Sequence, residues 1–264
     1  MIRKPVIYIV LILSTVIMSC SNFQKLLKSS DNEVKYTKAI EYYENEDYQK
    51  AQQLFEQIQA FFKGTDKAEK IAFFNANCYY KKRDYVLGGY YFKSFATNFS
   101  SSSYAEEALY MSAYCSYLDS PRSSLDQTST HEAIASLQIF INQYPKSTRV
   151  AECNKLIDEL RAKLEKKDID IAMLYFKMLD YKASVVSLNN VLKDFPDTKS
   201  KELILYSILD AKYQYAINSV YYKRRERLND ASAAYDELIA GFPVGEYSDK
   251  ALAIKKNISK ELNN

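Results

Sequence analysis

The feature of this sequence that most limits its fold is that the chain overlays on itself at a fixed offset. Shifted by 37 residues, Asp47-Tyr48-x-x-Ala51-x-x-x-Phe55 falls on Asp84-Tyr85-x-x-Gly88-x-x-x-Phe92. The same shift lays Lys67-Ala68-Glu69…Asn75-Ala76-Asn77-Cys78-Tyr79 on Tyr104-Ala105-Glu106…Ser112-Ala113-Tyr114-Cys115-Ser116, and Phe62 on Phe99. Farther along, Ala133, Ser184 and Ala231 each precede a proline by 12 residues (Pro145, Pro196, Pro243), with Leu137, Leu188 and Tyr235 four positions on. A small residue lets two antiparallel helices approach, a large one fills the gap a turn later, and proline stops the helix. Only 5 Gly and 5 Pro stand among 264 residues, which excludes turn-rich all-β folds and low-complexity disorder.

This spacing resembles the tetratricopeptide repeat, a helical hairpin of about 34 residues. First-helix small positions fit at Ala39, Ala76, Ala113 and Ala172, and Tyr42, Tyr79 and Tyr175 follow three residues later in three of them. The fold expected is all-α: an elongated right-handed solenoid of five irregular hairpins over 32–62, 66–99, 103–144, 148–195 and 198–242, plus a C-terminal helix near 246–262. Successive second-helix small residues lie 37, 45, 51 and 47 apart, so the array is irregular. Its third unit carries a polar loop, Asp119 to Ser129, and its fourth opens on a long charged helix, Arg149 to Leu179. Capping boxes are expected at Ser103-x-x-Glu106 and Ser129-x-x-Glu132, with Asp66-x-x-Glu69 similar.

The N-terminus reads as an export address. Arg3 and Lys4 precede a 13-residue run from Val6 to Met18, too short for the roughly 20 residues of a membrane-spanning helix. The run ends Ile17-Met18-Ser19-Cys20, the pattern of a bacterial lipobox, in which the cysteine thiol is diacylglycerated and the chain is cut before it. An ordinary signal peptide with a cysteine at that place is the alternative. Several acyl chains on Cys20 would make a stable anchor where one chain binds only marginally. Ser21 follows, with no aspartate to signal inner-membrane retention, which favours the outer membrane. The chain after cleavage holds 34 Lys+Arg against 33 Asp+Glu, which offers nucleic acid no basic footprint. Cys78, Cys115 and Cys153 then remain, too far apart for a metal knuckle and odd in number. They read as small buried apolar positions, with a Cys78–Cys115 bridge as the alternative.

In such arrays the first helices line one face. Carried onto this register, the groove positions are Tyr36, Ile40 and Tyr43, then Lys70, Phe73, Asn77, Tyr80 and Lys81, then Glu107, Tyr110, Tyr114 and Tyr117. So many rings on one strip suit peptide recognition, because each offers apolar area and most carry a hydrogen-bonding tip. Asn77 could grip a peptide backbone, and Lys70 or Lys81 a carboxylate. Packing between neighbouring helices is the competing role of each ring. No catalytic or metal-binding constellation is expected: the single histidine, His131, sits in the Ser129–Glu132 capping box, and Gly88-Gly89 belongs to the repeat. The basic run Tyr221-Tyr-Lys-Arg-Arg-Glu-Arg227 reads as a solvated face or as a meeting point for an acidic surface.

A lipobox followed by five irregular units in about 240 residues resembles the BamD family of outer-membrane assembly lipoproteins. The resemblance is carried by Cys20-Ser-Asn-Phe-Gln-Lys-Leu-Leu-Lys, by Ala39-Ile-Glu-Tyr-Tyr-Glu…Tyr48-Gln-Lys-Ala51-Gln-Gln-Leu-Phe55, and by Leu192-Lys-Asp-Phe-Pro-Asp-Thr198. It implies a non-enzymatic scaffold of the β-barrel assembly machinery, anchored in the outer membrane by lipid on Cys20, facing the periplasm and using no cofactor. It further implies two partners: a BamA-like β-barrel subunit on the C-terminal repeats, and C-terminal strands of unfolded outer-membrane proteins on the N-terminal ones. The expected division is a signal peptide at 1–19, a lipidated tether at 20–31, a peptide-groove half at 32–144 and a BamA-binding half at 145–264. The alternative is a tetratricopeptide lipoprotein adaptor for a different envelope complex, in cell-wall work or glycan uptake. Glycan-binding relatives of the SusD class are rich in Trp, which is absent here.

Overall fold

The recurring Asp-Tyr dipeptide begins three of the helices, and it does so by one mechanism. Asp47, Asp84 and Asp180 each accept a side-chain hydrogen bond from the backbone N–H three residues on, at Lys50, Leu87 and Ala183. That satisfies one of the orphan donors of a helix N-terminus, worth about 1 kcal/mol. From each cap the pattern runs on identically. Four residues later stands a small buried residue (Ala51, Gly88, Ser184), then at eight Phe55, Phe92 or Leu188, and at eleven Ile58, Phe95 or Val191, all buried. Such a stripe covers one side of a helix and drives it onto its neighbours.

The computed structural model describes residues 22–263; the expected signal peptide at 1–19 and the expected lipidation site Cys20 lie outside them. Every regular element among the described residues is a helix: α1 (22–28), α2 (Asn32–Glu44), α3 (Tyr48–Ile58), α4 (Lys67–Lys81), α5 (Tyr85–Asn98) and α6 (Ala105–Asp119), then α7 (Thr128–Gln143), α8 (Val150–Lys177), α9 (Tyr181–Asp194), α10 (Lys201–Ile217), α11 (Tyr221–Gly241) and α12 (Ser248–Asn263). The pairs α2/α3, α4/α5, α6/α7, α8/α9 and α10/α11 are the five expected hairpins, and α12 is the terminal helix. The chain divides into two compact units, with Arg122–Asp126 and Asp158–Asn264 forming unit 2 and the remainder unit 1. The division falls inside the 28-residue α8.

Three hairpins close with the same turn. Glu46, Arg83 and Leu179 take left-handed backbone, with φ of 60°, 64° and 63°. The following Asp N–H reaches back to the carbonyl of Tyr42, Tyr79 or Tyr175 at 2.9–3.0 Å, which is the long bond of a Schellman cap. Non-glycine residues in this conformation are strained by roughly 1–2 kcal/mol. Leu179→Gly is therefore expected to raise stability, by about 0.5–1 kcal/mol once the looser unfolded chain is allowed for. A lower melting temperature by circular dichroism would contradict this.

Between hairpins a second device recurs. In Phe99-x-x-Ser102, Tyr144-x-x-Ser147 and Phe195-x-x-Thr198 the hydroxyl residue's N–H bonds the aromatic's carbonyl, at 2.9, 3.0 and 3.1 Å. Its oxygen accepts from the N–H two residues on, in Tyr104, Arg149 and Ser200. Each next hairpin, and the terminal α12, is also fastened to a glutamate of the preceding first helix. Ser102 donates to Glu69 at 2.6 Å, Arg149 to Glu107 at 2.7 Å and the Tyr247 N–H to Glu202 at 2.9 Å. Lys67 with Glu33 and Thr198 with Glu165 complete the series. The expected capping boxes are not formed: α4, α6 and α7 have no side-chain cap bond. Glu69 reaches forward to the next hairpin instead of back to its own N-terminus, because the Ser102 hydroxyl stands there.

Among the described residues the cysteines Cys78, Cys115 and Cys153 are buried free thiols. Cys78 lies in the core of the first hairpins with Leu54, Phe55, Ile58 and Ile71. Unit 2 has its own core, built on Leu188, Ile204, Leu209, Leu228 and Leu238.

Candidate functional site

The first helices α2, α4 and α6 of unit 1 carry the predicted strip, and their rings fall into two groups. On α2, Tyr36 lies 5.7 Å from the Phe62 ring with the Lys67 ammonium 4.9 Å from its own centroid. Tyr43 packs on Phe74 at 4.7 Å and Tyr48 at 5.6 Å, and burial pushes its hydroxyl up to about 12. On α4 and α6 the rings form a ladder. Tyr80 meets Tyr85 at 6.1 Å and Tyr114 at 6.3 Å, while Tyr114 stacks between Tyr110 at 5.8 Å and Tyr117 at 5.9 Å, with planes within 13° and 18°. Tyr80, Tyr114 and Tyr117 are half-buried, so each keeps an edge toward solvent.

Tyr110 is different: it is 3% exposed. The Arg149 guanidinium covers its ring at 3.9 Å while bonded to Glu107, and Glu152 accepts from its hydroxyl. Burial first, and that carboxylate second, raise the Tyr110 pKa. Tyr110 therefore backs the ladder and presents no open face. Phe73 is also a packing residue, 9% exposed and set against Tyr104, Phe95 and Phe92 at 4.7, 5.5 and 5.8 Å. One residue along a helix turns the side chain by about 100°. Phe74 consequently points where Phe73 was expected. With Tyr36, Ile40, Glu41, Lys70 and Tyr104 it lines an open cavity of about 480 Å³ between α2 and α4. Phe74 was legible in principle, since 70, 74, 77 and 81 make one helical stripe. Asn77 bonds back to the Phe73 carbonyl at 3.1 Å, leaving its second amide hydrogen and its carbonyl as the groups it can present. Lys81 is exposed at the end of α4.

A second groove lies on the other side of unit 1, between α5 and α7 over α6. Val86, Tyr90 and Ile139 wall it and Gly89, Ser112 and Ser116 floor it, enclosing about 480 Å³. Shifted back by one repeat, the equivalents of Gly89 and Ser116 are Gln52 and Tyr79. There the space is filled: Tyr79 donates to Glu56 at 2.6 Å, Gln52 donates to Glu56 at 2.8 Å and Lys82 donates to Gln52. The groove is open because two large side chains of one repeat are small in the next. Unit 2 has a larger cleft of about 870 Å³ between α8 and α10, with Arg161, Glu165, Lys166 and Ile169 on one side and Phe195, Thr198 and Leu203 on the other. Sequence reading placed no groove there, because the long charged α8 carries no aromatic strip like that of the earlier first helices.

Among the described residues no group of three His, Cys, Asp or Glu is placed to hold a metal ion, and no helix is long and apolar enough to cross a membrane. His131 is exposed on the first turn of α7. The profile of the YfiO family, described as outer membrane lipoprotein, matches residues 28–219. The chain belongs to the YfiO family of outer membrane lipoproteins. The YfiO match runs from the end of α1 to the end of α10 and includes every candidate from Tyr36 to Tyr117. Outer-membrane localisation of the family agrees with the export address at 1–20. No curated protein matches the chain.

Proposed function

We propose that this YfiO-family member is a non-enzymatic scaffold of the β-barrel assembly machinery, held at the outer membrane by acylated Cys20 and facing the periplasm. Its N-terminal half receives the aromatic-ended C-terminal strands of unfolded outer-membrane proteins, and its C-terminal repeats hold a BamA-like barrel subunit. The observation that carries the first part is the ladder Tyr80–Tyr114–Tyr117, with ring edges open beside the charged end of α4. Tyrosine edges accept an aromatic side chain while hydroxyl tips bond a peptide backbone. The cavity between α2 and α4 brings Lys70 to within the same half, where an ammonium can meet a terminal carboxylate.

Two measurements test this reading. A mild-detergent pull-down of the tagged, acylated protein should recover a barrel protein with periplasmic repeat domains as its stoichiometric partner. A cell-wall enzyme or a glycan transporter in that place would favour the adaptor alternative. A peptide ending in an aromatic residue should bind the protein, and Tyr114→Ala should weaken it about tenfold, the loss of a hot-spot ring of roughly 1.4 kcal/mol. Tyr90→Ala, on the opposite groove, should leave that affinity unchanged. Equal effects of the two would overturn the assignment of the strip.

A further inference from the structure

The stretch expected as a tether is mostly structured. In α1, Phe23 is 6% exposed, set edge-on to Tyr42 at 5.5 Å with the Lys50 ammonium 5.7 Å from its ring. Leu26 and Leu27 pack on the same core as Leu54 and Phe55. The buried Lys35 fastens the end of the helix: its ammonium donates to the Leu27 carbonyl at 3.0 Å and to Gln57 at 2.9 Å. A charge-assisted bond to a carbonyl of the last turn is the stronger kind of helix stop. Ser29 N–H closes the turn on the Leu26 carbonyl at 3.1 Å. α1 is thus part of the body of unit 1.

Only Ser21 stands between Cys20 and the first described residue, Asn22. Two residues span at most about 7 Å even when fully extended. A lipid on Cys20 therefore cannot leave α1 far from the headgroups. The exposed arc of α1 consists of Asn22, Gln24, Lys25 and Lys28, and residues 22–28 contain no acidic side chain. Each lysine near an anionic bilayer surface adds a modest attraction. That is small beside the acyl anchor, but it selects which face of a rigid body turns to the membrane.

We propose that α1 is a membrane-seating element: its Lys25–Lys28 face rests on anionic phospholipid headgroups and fixes the orientation of unit 1 to the bilayer. The inference rests on the proposed acylation of Cys20 and adds to it that the anchor has no slack. The test uses full-length acylated protein in phosphatidylethanolamine–phosphatidylglycerol vesicles, with a nitrobenzoxadiazole probe on Gln24→Cys or, at the exposed Lys146 in the loop after the third hairpin, on Lys146→Cys. A spin label on the lipid headgroups should quench the probe at position 24 at least threefold more than at 146. A Gly-Ser spacer of ten residues inserted after Ser21 should abolish that difference while the protein still floats with the vesicles. Lys25→Glu with Lys28→Glu should halve the quenching at 24 in these vesicles and leave it unchanged in phosphatidylcholine. Acylated, vesicle-bound protein with equal quenching at both positions, or quenching indifferent to the spacer, would overturn the seating. Quenching that ignores the two charge reversals would overturn the anionic contact. A mass spectrum without acyl groups on Cys20 would overturn the anchor itself, and the seating with it.

Discussion

Gly88→Leu is expected to cost unit 1 about 3 kcal/mol or more, the upper range for overpacking a close helix crossing. A Cβ at Gly88 would stand 3.3 Å from the Tyr80 backbone nitrogen and 3.4 Å from the Cys115 sulfur. The first of these is backbone and cannot swing aside. Gly88→Ala should be nearly neutral, since the tight contact is offset by the roughly 1 kcal/mol that alanine gains over glycine inside a helix. Gly241, whose added Cβ would meet nothing within 4 Å, supplies the control, and its change to leucine should stay within about 0.5 kcal/mol. Urea denaturation of the three variants gives the comparison directly. If Gly88→Leu unfolds at the same midpoint as Gly241→Leu, the close approach of α5 to α4 is not needed for stability.

The fold is also expected to weaken steeply on the alkaline side. Burial pushes the Cys78 and Cys115 thiols up to about 12 from an ordinary 9.0, and Tyr43 up to about 12 from 10.0. Tyr79 moves the same way, from burial and then from its bond to Glu56. The native state holds these protons more tightly than the unfolded chain, so unfolding releases protons as the pH climbs. Their contribution is complete below the unfolded values near 9 to 10 and is lost by about pH 12. Each tenfold gain in proton affinity on folding is worth about 1.4 kcal/mol, so the two thiols and Tyr43 together contribute on the order of several kcal/mol, with the partly solvated Tyr43 counting least. Urea midpoints should be flat from pH 7 to 8.5 and fall progressively above it. Cys115→Ala should shallow that fall by removing one proton from the count. A midpoint independent of pH up to 11 would sink this expectation.

The hairpins were readable because their signals are local and repeated. Asp caps, a small residue four positions on and an aromatic at eight all act within a few turns, so an offset of 37 exposes them. The tyrosine ladder on α4 and α6 follows from the same register. Phe73 and Tyr110 take the competing packing role for a different reason. Whether a ring on a first helix faces solvent or its neighbour depends on a rotation of about 100° per residue and on what arrives from elsewhere. For Tyr110 that is Arg149, 39 residues away in the chain. The forward-reaching glutamates were hidden similarly. Glu69 looks like the far end of a cap begun at Asp66, and Ser102 belongs to no sequence motif, until tertiary structure puts them 2.6 Å apart.

Those glutamates have a bearing on how the molecule comes into being. Each finished hairpin already displays the acceptor on which the next loop will land: Glu33 before Lys67, Glu69 before Ser102, Glu165 before Thr198, Glu202 before Tyr247. Stacked repeats gain stability from nearest neighbours, so growth can proceed from one end. In a polypeptide delivered N-terminus first, every newly emerging segment finds its docking carboxylate waiting, and assembly can keep pace with delivery.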